Sequence, residues 1–262
     1  MRYRKGHIAI SEDRDVPLLL HVRNARAIGQ EQLWHLLAIE KMEESQRSAQ
    51  WRIARLEKAG LIERIEAGRF FRQPVFAITN IGMSLLEYRG HTLVSVSSET
   101  GHLLHASQIF HALELVNVRL ALAKAGALRS WKSEVEVTSR NLVFSTGATK
   151  DFDAVVEIEH HNERYTIGIE YERTVKAAAR YTEIREAINR DRTVDMVLYL
   201  ASSYDVLHVL AVELRGSSKQ IGFTISDEFC RDLFAANTLL NTGDHSLVRF
   251  EEFLSLESAV AR

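Results

Sequence analysis

Residues 45–62 read SQRSAQWRIARLEKAGLI. Ala49, Ile53 and Leu56 recur three and four apart, so they share one helical face and point into a small core. Arg47, Gln50, Trp51, Arg55 and Lys58 fill the remaining surface. Gly60 stops the periodic run, as a glycine does just past a helix end, and Leu61 and Ile62 restart as a short strand. A helix with Arg and Gln on its outer face suits the major groove, where both can hydrogen-bond base edges. The same face also fits an ordinary amphipathic helix with a solvated basic side. The neighbouring segments decide between them.

Upstream, VPLLLHVRN at 16–24 predicts a first helix, with Pro17 tolerated in its first turn. GQEQLWHLLAI opens a second helix at Gly29 or Gln30, with Leu33, Leu36 and Leu37 inward and Trp34 at the edge. Residues 41–45 form the turn. Downstream, 61–65 and 75–78 are expected strands, joined across GRFFRQP, a glycine-containing loop with two arginines. Such a loop is the wing of a winged helix and touches backbone or minor groove. Arg69 and Arg72 are the wing residues expected against phosphate. Thr79 caps a last helix, NIGMSLLEYRG, which Gly90 closes. The sum is a winged helix-turn-helix over residues 1–90, with double-stranded DNA as its expected partner.

Charge is distributed to match. The chain has 262 residues and a formal net charge of −2, which argues against a bulk nucleic-acid coat. Residues 1–90 carry fifteen Lys or Arg against eleven Asp or Glu, whereas 91–262 carry eighteen against twenty-four. A mildly basic first domain is compatible with a phosphate-contacting surface. The single Cys230 excludes an intrachain disulfide framework and a multi-cysteine zinc site. His7, His21 and His35 read as surface or packing residues, and His102, His105 and His111 as capping and packing residues. No apolar leader follows Met1 and no run approaches a membrane span, so a cytoplasmic protein with no membrane partner is expected.

Residues 91–102, with SVSSETG at their centre, read as a linker to a second domain over 103–262. That domain opens with a helix over 103–125. WKSEVEVT at 131–138 alternates as a half-buried strand. Further strands follow at 152–158 and 165–171, with Glu163 and Arg164 in the turn between them. A helix over 174–189 leads to VDMVLYL at 194–200, a nearly continuous apolar strand expected at the sheet centre. Residues 206–214 are another strand or the end of a crossover helix. Residues 225–240 are expected to contain a helix capped by Ser226, and the tail ends in a short helix. The order is that of a mixed α/β sheet, a three-stranded meander joined to a fourth strand by a helical crossover. The whole is therefore α+β.

Acidic residues gather at the strand ends. Asp153 opens one strand, and Glu170 and Glu172 fall on one face of the next. Carboxylates converging from neighbouring strands can hold a divalent ion through oxygen, and such an ion can activate water at a phosphodiester. Lys176 and Glu114 are the further candidates for that cluster. The alternative is plain ion pairing, with Arg173 or Arg180 as partners.

Taken together, QWRIARLEKAGLIERI and QPVFAITNIGMSLL in the first domain, with VRLAL, WKSEVEV, DFDAVVEI and IGIEYERTVK in the second, make the chain resemble the replication-relaxation family of plasmid and mobile-element proteins. The resemblance covers about residues 10–215 and implies a restriction-endonuclease-like fold for the second domain. It places the fold's first aspartate at Asp153 and its next acidic residue at Glu170. The lysine that should follow two residues later is replaced by Glu172, which reverses the local charge; Lys176 is the one candidate substitute. The expectation is a catalytically silent nuclease-like domain with no cofactor, Mg²⁺ or Mn²⁺ being implied only for an active one. The expected function is sequence-specific DNA binding by a homodimer, as a transcriptional regulator or a replication or mobilisation accessory. The alternatives are a structural adaptor of a replication complex and a Mg²⁺-dependent endonuclease.

Overall fold

A computed structural model describes residues 8–65, 73–94, 104–144, 150–242 and 246–260. The chain divides into two units, Met1–Val116 and Asn117–Arg262.

The first unit contains α1 (Asp15–Ala25), β1 (Ile28–Gly29), α2 (Gln30–Ile39), α3 (Gln46–Lys58), β2 (Ile62–Ile65), β3 (Val75–Ile78) and α4 (Asn80–Tyr88). It also holds the start of α5 (Ala106–Lys124). The expected three helices, hairpin and helix are all present, with one addition. The two-residue β1 pairs with β3, giving an antiparallel sheet in the order β1-β3-β2. Leu33, Leu36, Leu37, Ala49, Ile53 and Leu56 are buried, as their spacing requires. The Ser45 hydroxyl accepts from the Ser48 amide at 3.1 Å and starts α3. Gly60, at φ +72°, lets the chain leave that helix. Arg69 and Arg72, the wing arginines, lie outside the described residues.

The start of α5 packs with this unit. Ile109 and Ala112 join Ala27, Ile65, Val75 and Ala77 in one cluster, and the Gln32 amide donates to the Leu113 carbonyl at 2.8 Å. The division thus falls inside α5, whereas the linker at 91–102 had predicted that the whole helix belongs to the second domain. Residues 95–102 of that stretch lie outside the described residues.

The second unit continues α5 and adds β4 (Leu128–Ser133), α6 (Glu134–Phe144), β5 (Ala154–His160), β6 (Glu163–Glu172), α7 (Ala178–Arg190), β7 (Met196–Ala201) and α8 (Tyr204–Glu213). It closes with β8 (Ile221–Ile225), α9 (Ser226–Asp232), a 3₁₀ turn at Leu233–Ala235, β9 (Asn237–Leu240), β10 (Leu247–Arg249) and α10 (Phe250–Val260). Seven strands form one sheet in the order β10-β9-β8-β7-β6-β5-β4. β6, β7 and β8 run parallel, and the other pairings are antiparallel. The parallel joins pass through α7 and α8, as crossovers must. The expected meander, helical crossover and central VDMVLYL strand are present.

Three local expectations are corrected and one open alternative is decided. The WKSEVEVT strand ends at Ser133, and the EVEV run is the start of α6. The Glu136 carboxylate accepts from the Ser133 amide at 2.9 Å and its hydroxyl at 2.8 Å, a capping arrangement that turns the chain into a helix. Glu163 and Arg164 belong to β6. The turn is His161–Asn162, both at positive φ (50° and 65°), the two-residue hairpin geometry that matches strand twist. Of the two alternatives for residues 206–214, the structure has the crossover helix, α8, started by Ser203, whose hydroxyl accepts from the Val206 amide. Residues 225–240 hold a helix of only seven residues, whose N-cap is Ile225 rather than Ser226, and then β9.

One face of the sheet packs Phe152, Val155, Val197, Tyr199 and Phe223 against Val137, Tyr181, Ile188 and Leu210 from the helices. Gly168 lies under Phe152; a Cβ there would stand 2.7 Å from its ring.

Candidate functional site

Two sites were expected from the sequence, the α3 face in the first unit and, Glu114 apart, the acidic strand ends in the second. On the first, α3 presents Arg47, Gln50, Trp51 and Lys58 to solvent, with Ala54 between them. Trp51 is 64% exposed, unusual for the largest apolar side chain. Among the described residues, Arg47, Gln50 and Lys58 make no ion pair or side-chain hydrogen bond. Arg55, assigned by spacing to the same face, is half-buried and already engaged. It donates to Asp15 and to the Ala9 carbonyl at 3.0 Å, and its guanidinium lies 5.5 Å from the Trp51 ring centroid. Arg55 therefore props Trp51 outward more than it faces outward itself.

Beneath that face lies a network the sequence reading missed. Arg52 is buried and bonds Asp15 at 2.9 Å and the Glu43 carboxylate. Ser48 donates to Glu43 at 2.6 Å. Burial alone would raise the Asp15 carboxyl. Hydrogen bonds from Arg55, Ser11 and Arg52 outweigh it and hold Asp15 below its usual 3.8. Burial likewise works against Glu43, and Ser48 and Arg52 pull it below its usual 4.5. The network ties α1, the turn after α2 and α3 together, which sets how α3 is presented. Its signal was present in the sequence: position 52 is three residues from Ala49 and four from Leu56, on the apolar stripe.

On the second unit, antiparallel pairing of Ala154 with Ile169 brings Asp153 beside the Glu170 strand position. Asp153 accepts from the Tyr171 amide at 2.7 Å. Glu170 pairs with Lys150, a residue the sequence reading did not select. Lys150 also lies 4.6 Å over the Phe152 ring. Burial pushes the Glu170 carboxyl up to about 7, against the opposing pull of Lys150 and with a push from Asp153. Glu172 is buried and pairs with Lys176; Lys176 is thereby held by its own neighbour, its amide donating to the Tyr181 hydroxyl at 3.0 Å. Arg180, an alternative partner considered for these carboxylates, pairs with Glu183 at 2.5 Å. Tyr199 sits beside Glu170 in register. Its hydroxyl is buried without a partner, and burial, then the charges of Glu170, Asp153 and Glu172, raise its pKa well above 10. Glu114, on the part of α5 that belongs to the first unit, is half-buried.

The arrangement answers the charge reversal at position 172. Two lysines from outside the expected motif each neutralise one glutamate, and a backbone amide holds the aspartate. Oxygen donors of the kind Mg²⁺ or Mn²⁺ takes are present, but Glu170 and Glu172 are already charge-matched and Glu170 is driven toward its neutral form. Among the described residues, the three-donor group whose ligand atoms all lie within 4.8 Å is a different one, His160, His161 and Glu251. As arranged, Lys150 and Lys176 occupy the two glutamates that such an ion would take.

Comparison with known proteins bears on both units. No curated protein matches the chain. The solved structure of the restriction endonuclease FokI aligns at 12% identity and a TM-score of 0.31, over 82% of this chain. The chain spans 42% of the length of that structure's chain. The family described as replication-relaxation matches residues 19–197, from α1 into β7. That match covers well over half of the sequence, and the chain belongs to the replication-relaxation family.

Proposed function

We propose that this protein binds double-stranded DNA sequence-specifically through α3. It acts as a homodimeric transcriptional regulator or as an accessory of replication or mobilisation, and its nuclease-like second unit is catalytically silent. The observation that carries the reading is the outward face of α3. Arg47, Gln50 and Lys58 are exposed, without partners among the described residues, around an exposed Trp51. Arg pairs with guanine and Gln with adenine at major-groove edges. Ala54 leaves room for a thymine methyl or close backbone approach. The wing arginines Arg69 and Arg72 supply phosphate contacts in this reading.

The test is selection from a random duplex pool followed by gel-shift titration at fixed salt. An enriched palindrome with half-sites about one helical turn apart is expected for a symmetric dimer. Arg47→Ala or Gln50→Ala should weaken the selected site by about 1–3 kcal/mol each and relax the preferred base at one position. Lys58→Ala should weaken all sequences alike and lower the salt slope by about one. No enrichment, or equal binding by wild type and variants, overturns the proposal in favour of a protein-binding adaptor. Silence of the second unit is tested by plasmid cleavage with Mg²⁺ and Mn²⁺. Cutting that disappears in an Asp153→Ala, Glu170→Ala variant would refute it.

A further inference from the structure

The turn between β5 and β6 brings two histidines together beside the start of α10. His160 is the last residue of β5, and His161 opens the turn at φ +50°. In a continuing strand these neighbours would point to opposite faces. The left-handed turn instead folds the second ring back toward the first, leaving their centroids 4.0 Å apart. The His160 ring stacks on Phe234 at 4.0 Å and 20°, which fixes its plane. Its Nε2 is buried with no hydrogen-bond partner, and it faces the Glu251 carboxylate at 3.9 Å. The other Glu251 oxygen reaches Arg249 at 3.5 Å. One ligand atom from each of His160, His161 and Glu251 lies within 4.8 Å of the others.

We propose that His160, His161 and Glu251 form a binding site for a divalent transition-metal ion of the zinc class, with water completing its coordination. Two imidazoles and one carboxylate are a donor set that zinc accepts and Mg²⁺ does not favour. Tetrahedral zinc about 2 Å from each donor needs donors about 3.3 Å apart, so a group whose donors lie within 4.8 Å must contract by up to about 1.5 Å. Side-chain rotation of Glu251 and of the exposed His161 can supply that movement. His161 is exposed and leaves the outer positions of the ion open to solvent. The ion clamps the β5–β6 turn to α10 and supplies the partner that the buried His160 nitrogen lacks. The site is independent of the DNA-binding reading and separate from Asp153 and Glu170.

The experiment uses the untagged full-length chain, stripped with chelator and titrated with Zn²⁺ by calorimetry and with Co²⁺ by visible absorption. One ion per chain is expected, with cobalt bands typical of a nitrogen- and oxygen-ligated site. His161→Asn keeps a residue that tolerates positive φ, and Glu251→Gln keeps shape, so neither should unfold the protein. Each should weaken binding by about tenfold or more, since even changes outside the ligand set cost about 10–100-fold. The Asp153→Ala, Glu170→Ala variant should bind as wild type. Absence of a stoichiometric ion at micromolar zinc overturns the proposal. So does binding that survives both ligand variants, or binding lost in the Asp153→Ala, Glu170→Ala variant instead.

Discussion

Arg52 carries the largest single-residue consequence in the first unit. Its guanidinium is buried between two buried carboxylates, Asp15 and Glu43. Removing it leaves the buried Glu43 without its cationic partner and Asp15 with Arg55 alone, and breaking a buried pair costs about 3–5 kcal/mol. Arg52→Ala should therefore unfold the first unit at markedly lower urea, measured by circular dichroism. Arg47→Ala on the exposed face should not move that midpoint. Glu170 shows the opposite balance. Its folded pKa is raised from 4.5 to about 7, so its contribution to stability is full below about 4.5 and is lost as pH rises toward 7. Glu170→Gln should flatten that part of the stability profile. Arg52 was legible as a charge on an apolar stripe. Lys150 was not: it lies twenty residues from Glu170, and only strand pairing brings the two together.

At the scale of elements, boundaries were legible where a capping residue and a periodic run agree. Ser45 with α3 and Thr79 with α4 are such cases. Gly82 gives a test of the second. A Cβ there would stand 2.1 Å from the Leu61 carbonyl oxygen, inside the α4 approach to the hairpin. Gly82→Ala must shift backbone and should destabilise by about 1–3 kcal/mol, as overpacking does, despite alanine's better helix propensity. Thermal unfolding measures it, and a neutral or stabilising result would contradict this packing. The elements misread were those whose local pattern pointed the wrong way. EVEV alternates like a strand, but the Glu136 cap makes it a helix. β8 escaped notice because Gly222 lowers strand propensity. Its missing side chain is what admits Thr238 and Phe253, contacts that exist only after β9 and α10 have folded back.

At the scale of the molecule, the two units should respond to pH in opposite senses. Asp15 and Glu43 have lowered folded pKa values, so their stabilisation is present above about 4.5 and is lost as pH falls further through the folded values. Glu170 contributes most below about 4.5 and least near 7. Differential scanning calorimetry from pH 3.5 to 7 should show a first-unit transition that falls on acidification. The second-unit transition should fall as pH rises from 4.5 to 7, and Glu170→Gln should remove that fall. Both transitions moving together would show that other groups dominate.

The sequence by itself determined the first unit's helices and hairpin, the exposed face of α3, the meander and crossover, and the family. These follow from short-range signals, the 3.6-residue and 2-residue periods, caps and turn glycines, which act within a few residues. Tertiary structure alone decided which charges were matched. Asp15 reached Arg52 and Arg55 across the helical core, and Lys150 reached Glu170. It also decided that His160 and His161 meet Glu251 some ninety residues later. Such pairings depend on how strands and helices are brought together over long separations, and burial then sets how strongly each charge requires its partner.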